Sequence, residues 1–141
     1  MRYLAIDYGT KRTGLAVCDP SETFVSPLTV INSDKNVINK IHERIEQENI
    51  TAIVLGLPLN MDGSRGPQAR RTIDFSKQLR ECLDIPVHFQ DERLSSFTAR
   101  EMMAEAELTQ KKKKKRLDAV AAAQILEAFL EKKKSELEGK S

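Results

Sequence analysis

The chain of 141 residues contains no tryptophan, 2 cysteines, 2 histidines, 2 tyrosines and 5 phenylalanines. Each scarcity excludes something. Cys18 and Cys82 stand 64 positions apart without a C-x-x-C pattern. They build no disulfide framework, and a reducing, cytoplasmic setting is expected. Two cysteines and two histidines without ligand spacing argue against zinc. No apolar run approaches the roughly 20 residues of a membrane span, and the start, MRYLAIDYGT, lacks a secretory cleavage site. No membrane partner is expected. An aromatic share of 5% speaks against gripping single strands by base stacking. No Ser/His/Asp or Cys/His set stands out. His42 falls in the polar register of its helix, and His88, mid-strand, is expected to be packed and hydrogen-bonded.

What is present is ordinary globular composition, 40% hydrophobic and 31% charged. The length fits one domain, 1–141, able to bury about 68–70% of its unfolded surface. The net charge of +2 hides an asymmetry: residues 1–109 carry 13 basic and 16 acidic side chains, residues 110–141 carry 10 and 5. The positive excess centres on Lys111–Arg116. Such a block is expected to form a solvated loop, about 109–116, which either serves solubility or meets a polyanion.

Hydrophobic patterning gives the element order. Strands are expected at 2–7, 13–18 and 24–31, the last placed at an edge or bulge by Pro27. A helix carrying Val37, Ile38, Ile41 and Ile45 follows, with N-caps on offer from Asn32, Ser33 and Asp34 and an end at Asn49. Residues 51–56 form a continuous apolar strand. A turn-rich loop runs from Leu57 to Pro67. Then come a helix at about 68–83 with Ala69, Ile73, Leu79 and Leu83 inward, a strand at 86–90, and a helix capped by Ser95 or Ser96 that runs through Met102, Met103 and Ala106. A last helix spans about 116–138, with a C-terminal tail at about 135–141. A meander followed by α-β-α-β alternation implies an α/β domain with a mixed sheet.

The chemistry lies in carboxylates placed where burial makes them costly. Asp7 ends an apolar strand. Asp91 and Glu92 follow the strand at 86–90. Asp118, in the expected first turn of the last helix, heads the stripe Ala121, Ala122, Ile125 and Phe129. Each has a plain explanation: a turn cap for Asp7, solvated charge for Asp91 and Glu92, the helix dipole for Asp118. Brought together, they would bind hard divalent cations through oxygen and support in-line hydrolysis of a phosphodiester. Two glycine-bearing segments, 7–14 with Lys11 and Arg12, and 56–67, offer close backbone approach to phosphates. Neither is a Walker or Rossmann loop.

Four blocks in order, Asp7-x-Gly9-x-Lys11-Arg12-x-Gly14, Gly56-Leu57-Pro58-x-Asn60-Met61-Asp62-Gly63, Asp91-Glu92-Arg93-Leu94, and Asp118-Ala119-x-Ala121-Ala122 behind the lysines, resemble the YqgF/RuvX family of pre-16S rRNA nucleases and Holliday junction resolvases. The resemblance covers nearly the whole chain. It implies a ribonuclease H-like fold with a five-stranded mixed sheet, its first three strands antiparallel. It further implies Asp7, Glu92 and Asp118 as catalytic, metal-binding acids for Mg²⁺ or Mn²⁺, with Asp91 as the alternative to Glu92. Lys11, Arg12, Asn60, Arg93, Lys113, Lys114 and Lys115 would then contact nucleic acid. The implied partner is a ribosomal RNA precursor, free or in a ribosomal particle, or branched DNA, met by a monomer or homodimer. Two other readings stand beside it. One is a non-catalytic RNA- or ribosome-binding module. The other is a phosphotransferase, because Asp7–Lys11 also resembles the first phosphate loop of sugar kinases and actin, although 141 residues leave no second domain to close a nucleotide cleft.

Overall fold

The computed structural model describes residues 1–92 and 110–138, excluding the side chains of 110–117. Five strands form one mixed sheet: β1 (Tyr3–Tyr8), β2 (Arg12–Cys18), β3 (Val25–Asn32), β4 (Ala52–Leu57) and β5 (Val87–Asp91). Their order is β3-β2-β1-β4-β5. The first three pair antiparallel, and β4 runs parallel to both β1 and β5. Among the described residues the helices are α1 (Val37–Gln47), α2 (Pro67–Cys82) and α3 (Gln110–Glu138). None is long and apolar enough to cross a membrane.

Strand alternation sorts the core into two layers. Leu4, Ile6, Leu15, Val17, Ile53 and Leu55 pack with Val37 and Ile41 of α1 and Phe75 and Leu79 of α2. Tyr3, Ala5, Ala16, Cys18, Ala52 and Val54 face the other way and pack with Ala122, Ala123, Ile125 and Leu126 of α3. By the same period of two, Asp7 belongs to the α3 side. Tyr8 belongs to the other side, stacked on Phe75 with ring centroids 3.9 Å apart.

The expected strands are found within a residue at each end, and β3 is an edge strand whose pairing shifts between Leu15 and Ala16, where Pro27 lies opposite Ala16. A proline cannot donate to a ladder, so an edge tolerates it. Helix α1 starts later than expected. Asp34 builds a turn ahead of it, its Oδ1 accepting from the Asn36 N–H at 2.9 Å, and Asn36 takes the N-cap position without a side-chain cap bond. Asn49 ends the helix in left-handed conformation, with φ 54°, which asparagine tolerates better than most residues. In α2, Ile73 is only partly buried, and Thr72, Phe75 and Ser76 take the inward positions beside Ala69 and Leu79.

The expected loop at 109–116 is corrected: α3 is already helical from Gln110. Lysine is a good helix former because its straight chain loses little rotamer freedom. Repulsion between like charges at helical spacing costs only tenths of a kcal/mol per pair. Asp118 therefore lies in the third turn, not the first, and the helix dipole does not account for it. The expected tail is also shorter, since α3 continues to Glu138. The helix expected through Met102 and Met103 lies outside the described residues, as does the tail at 139–141.

Alanines at 119, 121, 122 and 123 are buried and let α3 lie close on the sheet. The closest point is Gly14, where a β-carbon would collide with the Asp118 carbonyl. Gly14→Ala should therefore force helix and sheet apart and cost about 1–3 kcal/mol, the usual range for overpacking. Urea unfolding of the variant against the parent protein measures this.

Candidate active site

Gly14 on β2 pairs directly with Asp7 on β1. On the far side of β1 lies Gly56 of β4, in the same alternation as Ala52 and Val54 and hence on the α3 side. Asp7 is flanked by two residues without side chains. Above Gly14 passes the backbone of Asp118, and over Gly56 lies the Glu92 carboxylate beside Ile125. Of the glycines in the two segments read as phosphate loops, Gly14 and Gly56 belong to strands, and their work is to make room for two acids. Sequence reasoning missed this role. A glycine inside a strand pattern was the available signal, since it marks close approach.

Register also separates Asp91 from Glu92. Val87, Phe89 and Asp91 pair with Ile53, Leu55 and Leu57, which puts Asp91 on the side of α1 and α2. Glu92 falls on the α3 side, and its N–H donates to the Leu57 carbonyl at 3.2 Å. Its side chain is hydrogen-bonded to Asp7.

Asp7 and Glu92 thus form a carboxyl pair. Burial is the first cause that pushes both up. Asp7 rises to about 6, with the Asp118 charge adding to burial and the Glu92 hydrogen bond opposing it. Glu92 rises to about 8, through burial and then the charge and hydrogen bond of Asp7. Two neighbouring carboxylates cannot both ionise cheaply, so one proton is shared between them.

Asp118 is neutralised differently. Its Oδ2 accepts from Arg12 Nε at 2.8 Å, and both side chains are about a third exposed, 28% and 32%. Arg12 opens β2 directly after the Gly9–Lys11 turn, which is closed by the Gly9 N–H donating to the Arg12 carbonyl at 3.0 Å. Lys11 is exposed on that turn. As they stand, no three His, Cys, Asp or Glu side chains among the described residues are arranged to hold a metal ion.

The other sequence candidates lie as follows. Asn60 Nδ2 donates to Ser64 Oγ at 3.0 Å, and its backbone joins Ser64 and Gly63, so it braces its own loop after β4. Lys113, Lys114 and Lys115 lie in the opening turns of α3. Arg93 lies outside the described residues. His42 is exposed as expected and pairs with Glu46 at 3.6 Å. His88, expected to be packed and hydrogen-bonded, is exposed, but its ring lies against those of Tyr3 and Phe129, with centroids 6.4 and 5.5 Å away. It sits on an edge strand, where one flank of the residue faces outward.

The chain matches the RuvX family, described as Holliday junction resolvase, over residues 1–132. A protein of Maridesulfovibrio salexigens named "Putative pre-16S rRNA nuclease" is 42% identical over 92% of this chain and 98% of its own. One of Syntrophomonas wolfei with the same name is 40% identical over 93% and 94%. Among solved structures, the fowlpox virus resolvase in complex with Holliday junction DNA is similar with a TM-score of 0.58, at 14% identity over 94% of this chain and 98% of that one. Thermus thermophilus RuvC with its Holliday junction substrate gives 0.54, at 13% identity over 89% and 92%. Both share the ribonuclease H-like sheet found here, and the chain belongs to the RuvX family of nucleases.

Proposed function

We propose that the chain, acting as one domain over 1–141, is a divalent-metal-dependent endonuclease that processes the 5′ end of the pre-16S ribosomal RNA. The observation that carries this reading is the Asp7–Glu92 carboxyl pair with Asp118 beside it, three acids from three distant segments at one end of the sheet. The donor set fits a hard cation. It is all oxygen, and two of its members are held at raised proton affinity, Asp7 by burial and the Asp118 charge, Glu92 by burial and Asp7, a cost that a positive ion removes. Asp7 and Glu92 would hold it, with Asp118 joining. Mg²⁺ or Mn²⁺ bound there supplies an activated water and stabilises charge on a phosphodiester.

The chain's own residues do the rest. The glycines keep the acids close to the sheet and keep other side chains out. Lys11 and Arg12 at the β1–β2 turn, Asn60 on the loop after β4, Arg93, and Lys113–Lys115 just ahead of Asp118 in sequence are the candidate contacts to the phosphate backbone. Removing one of these lysines weakens binding and lowers its salt dependence by about one counterion. The names of the relatives favour RNA as substrate, and the family description keeps branched DNA as the second reading.

Two measurements test this. Wild type and Asp7→Asn are incubated with Mg²⁺ or Mn²⁺ on a small-subunit rRNA precursor and on a four-way DNA junction. Wild type should cleave the RNA at its 5′ side, and Asp7→Asn should lose at least about a hundredfold in rate while still binding. Preferred cleavage of the junction would choose the resolvase. Cleavage of neither, with binding intact, would favour the non-catalytic module.

The second measurement is stability in chelator. Folded-state proton affinities raised above their unfolded values make the contribution of Asp7 and Glu92 fully present below about pH 4. It is lost as pH rises through about 6 and then about 8. Metal-free protein should lose several kcal/mol of stability, on the order of 5, across that window. Asp7→Asn should flatten the profile, and Mg²⁺ or Mn²⁺ should restore stability at the alkaline end. A pH-independent melting temperature would count against the pair.

A further inference from the structure

Three acids converge here, yet no three of them stand ready for a cation. One of the three, Asp118, is paired with Arg12. The Arg12 Nε donates to Asp118 Oδ2 at 2.8 Å, so this oxygen of the third acid is already engaged by a guanidinium. The backbone under Asp118 is held in place, because it rests on Gly14. Only the side chain is free to choose between the guanidinium and the pair. An Arg–carboxylate contact and a cation–carboxylate contact use the same oxygens, so the two compete.

We propose that Arg12 is a positioning residue that serves as an internal counter-ion, holding Asp118 out of the acid cluster until it is displaced. The proposal rests on the metal-dependent reading above. Its physical content is a thermodynamic coupling: whatever stabilises the Arg12–Asp118 pair weakens binding of a divalent cation to the free protein, and the reverse. The turn that carries Arg12 is closed through its backbone and not through its guanidinium, by the Gly9 to Arg12 and Ser33 to Lys11 hydrogen bonds at 3.0 and 2.9 Å. The side chain can therefore leave Asp118 without unfolding the turn. Because the guanidinium is about a third exposed, an anion such as a phosphate has access to it once it is released.

The test reads Mn²⁺ affinity of the full-length protein without nucleic acid, by electron paramagnetic resonance of the free ion and by calorimetry. Arg12→Gln and Arg12→Met should each bind Mn²⁺ about three- to fivefold more tightly than wild type, the scale of a partly exposed ion pair. Arg12→Lys, which keeps the charge, should stay near wild type. In an Asp118→Asn background, Arg12→Gln should change nothing, because the cycle isolates the pair. Unchanged or weaker binding in both neutral variants overturns the counter-ion role while leaving the metal site standing. So does an undiminished effect of Arg12→Gln in the Asp118→Asn background. Absence of Mn²⁺ binding in wild type and in every variant overturns the metal-dependent reading itself.

Discussion

The structure turns on how closely α3 lies against the sheet at its third turn. A long helix cannot normally bring its backbone onto a strand, because side chains on both sides hold the two about 10 Å apart. Here the intervening layer has been thinned. Buried alanines line the helix, and Gly14 takes the place in the sheet where a side chain would meet the Asp118 carbonyl. That one contact sets the height of the acid above β1. Gly56 repeats the device on the other flank, so the Glu92 carboxyl also settles near the sheet. The acids are close because the residues between them are absent.

This arrangement explains why a fold with a wholly apolar middle carries ionisable groups at one end. Along β1 the α3-side residues are Tyr3, Ala5 and Asp7, passing from core to site in three steps of the same alternation. The hydrophobic contacts of Ala5, Val54, Ile125 and Leu126 fix helix against sheet, and the geometry of the acids follows from that packing. Burial and mutual repulsion oppose assembly of the acids, against which stand only the Asp7–Glu92 hydrogen bond and the Arg12–Asp118 pair. The core bears the cost of the site, as layered α/β domains commonly allow at strand ends.

Much of this was legible in sequence. The strands were visible from apolar runs and alternation, the β3 edge from Pro27, and the end of α1 from Asn49. Asp7 and Asp118 stood out because each interrupts an apolar pattern. Two things were hidden for physical reasons. Six consecutive basic residues looked unable to fold, yet helix propensity outweighs screened repulsion in Lys111–Arg116, and the true start of α3 moved six residues earlier. Asp91 and Glu92 are adjacent and chemically alike. Only the pairing of β5 with β4 decides which of them turns towards α3, and register between distant strands is not a local property. The Arg12–Asp118 pair, 106 residues apart in sequence, was equally out of reach. Arg12 was read as a residue for phosphates, not for an acid of the same chain.

The two ways in which the acids are neutralised are not equivalent. A shared proton satisfies Asp7 and Glu92 at short range and draws them together. The guanidinium of Arg12 satisfies Asp118 from β2. Three carboxyl groups with one proton and one arginine retain a net charge of about −1 at neutral pH, so the cluster stays attractive to cations while resisting collapse into a permanently neutral knot. A fourth acid, Asp91, stands on the opposite side of the sheet and still raises the proton affinity of Glu92 through its charge. The negative potential at this end of the sheet is therefore deeper than the three acids alone would make it.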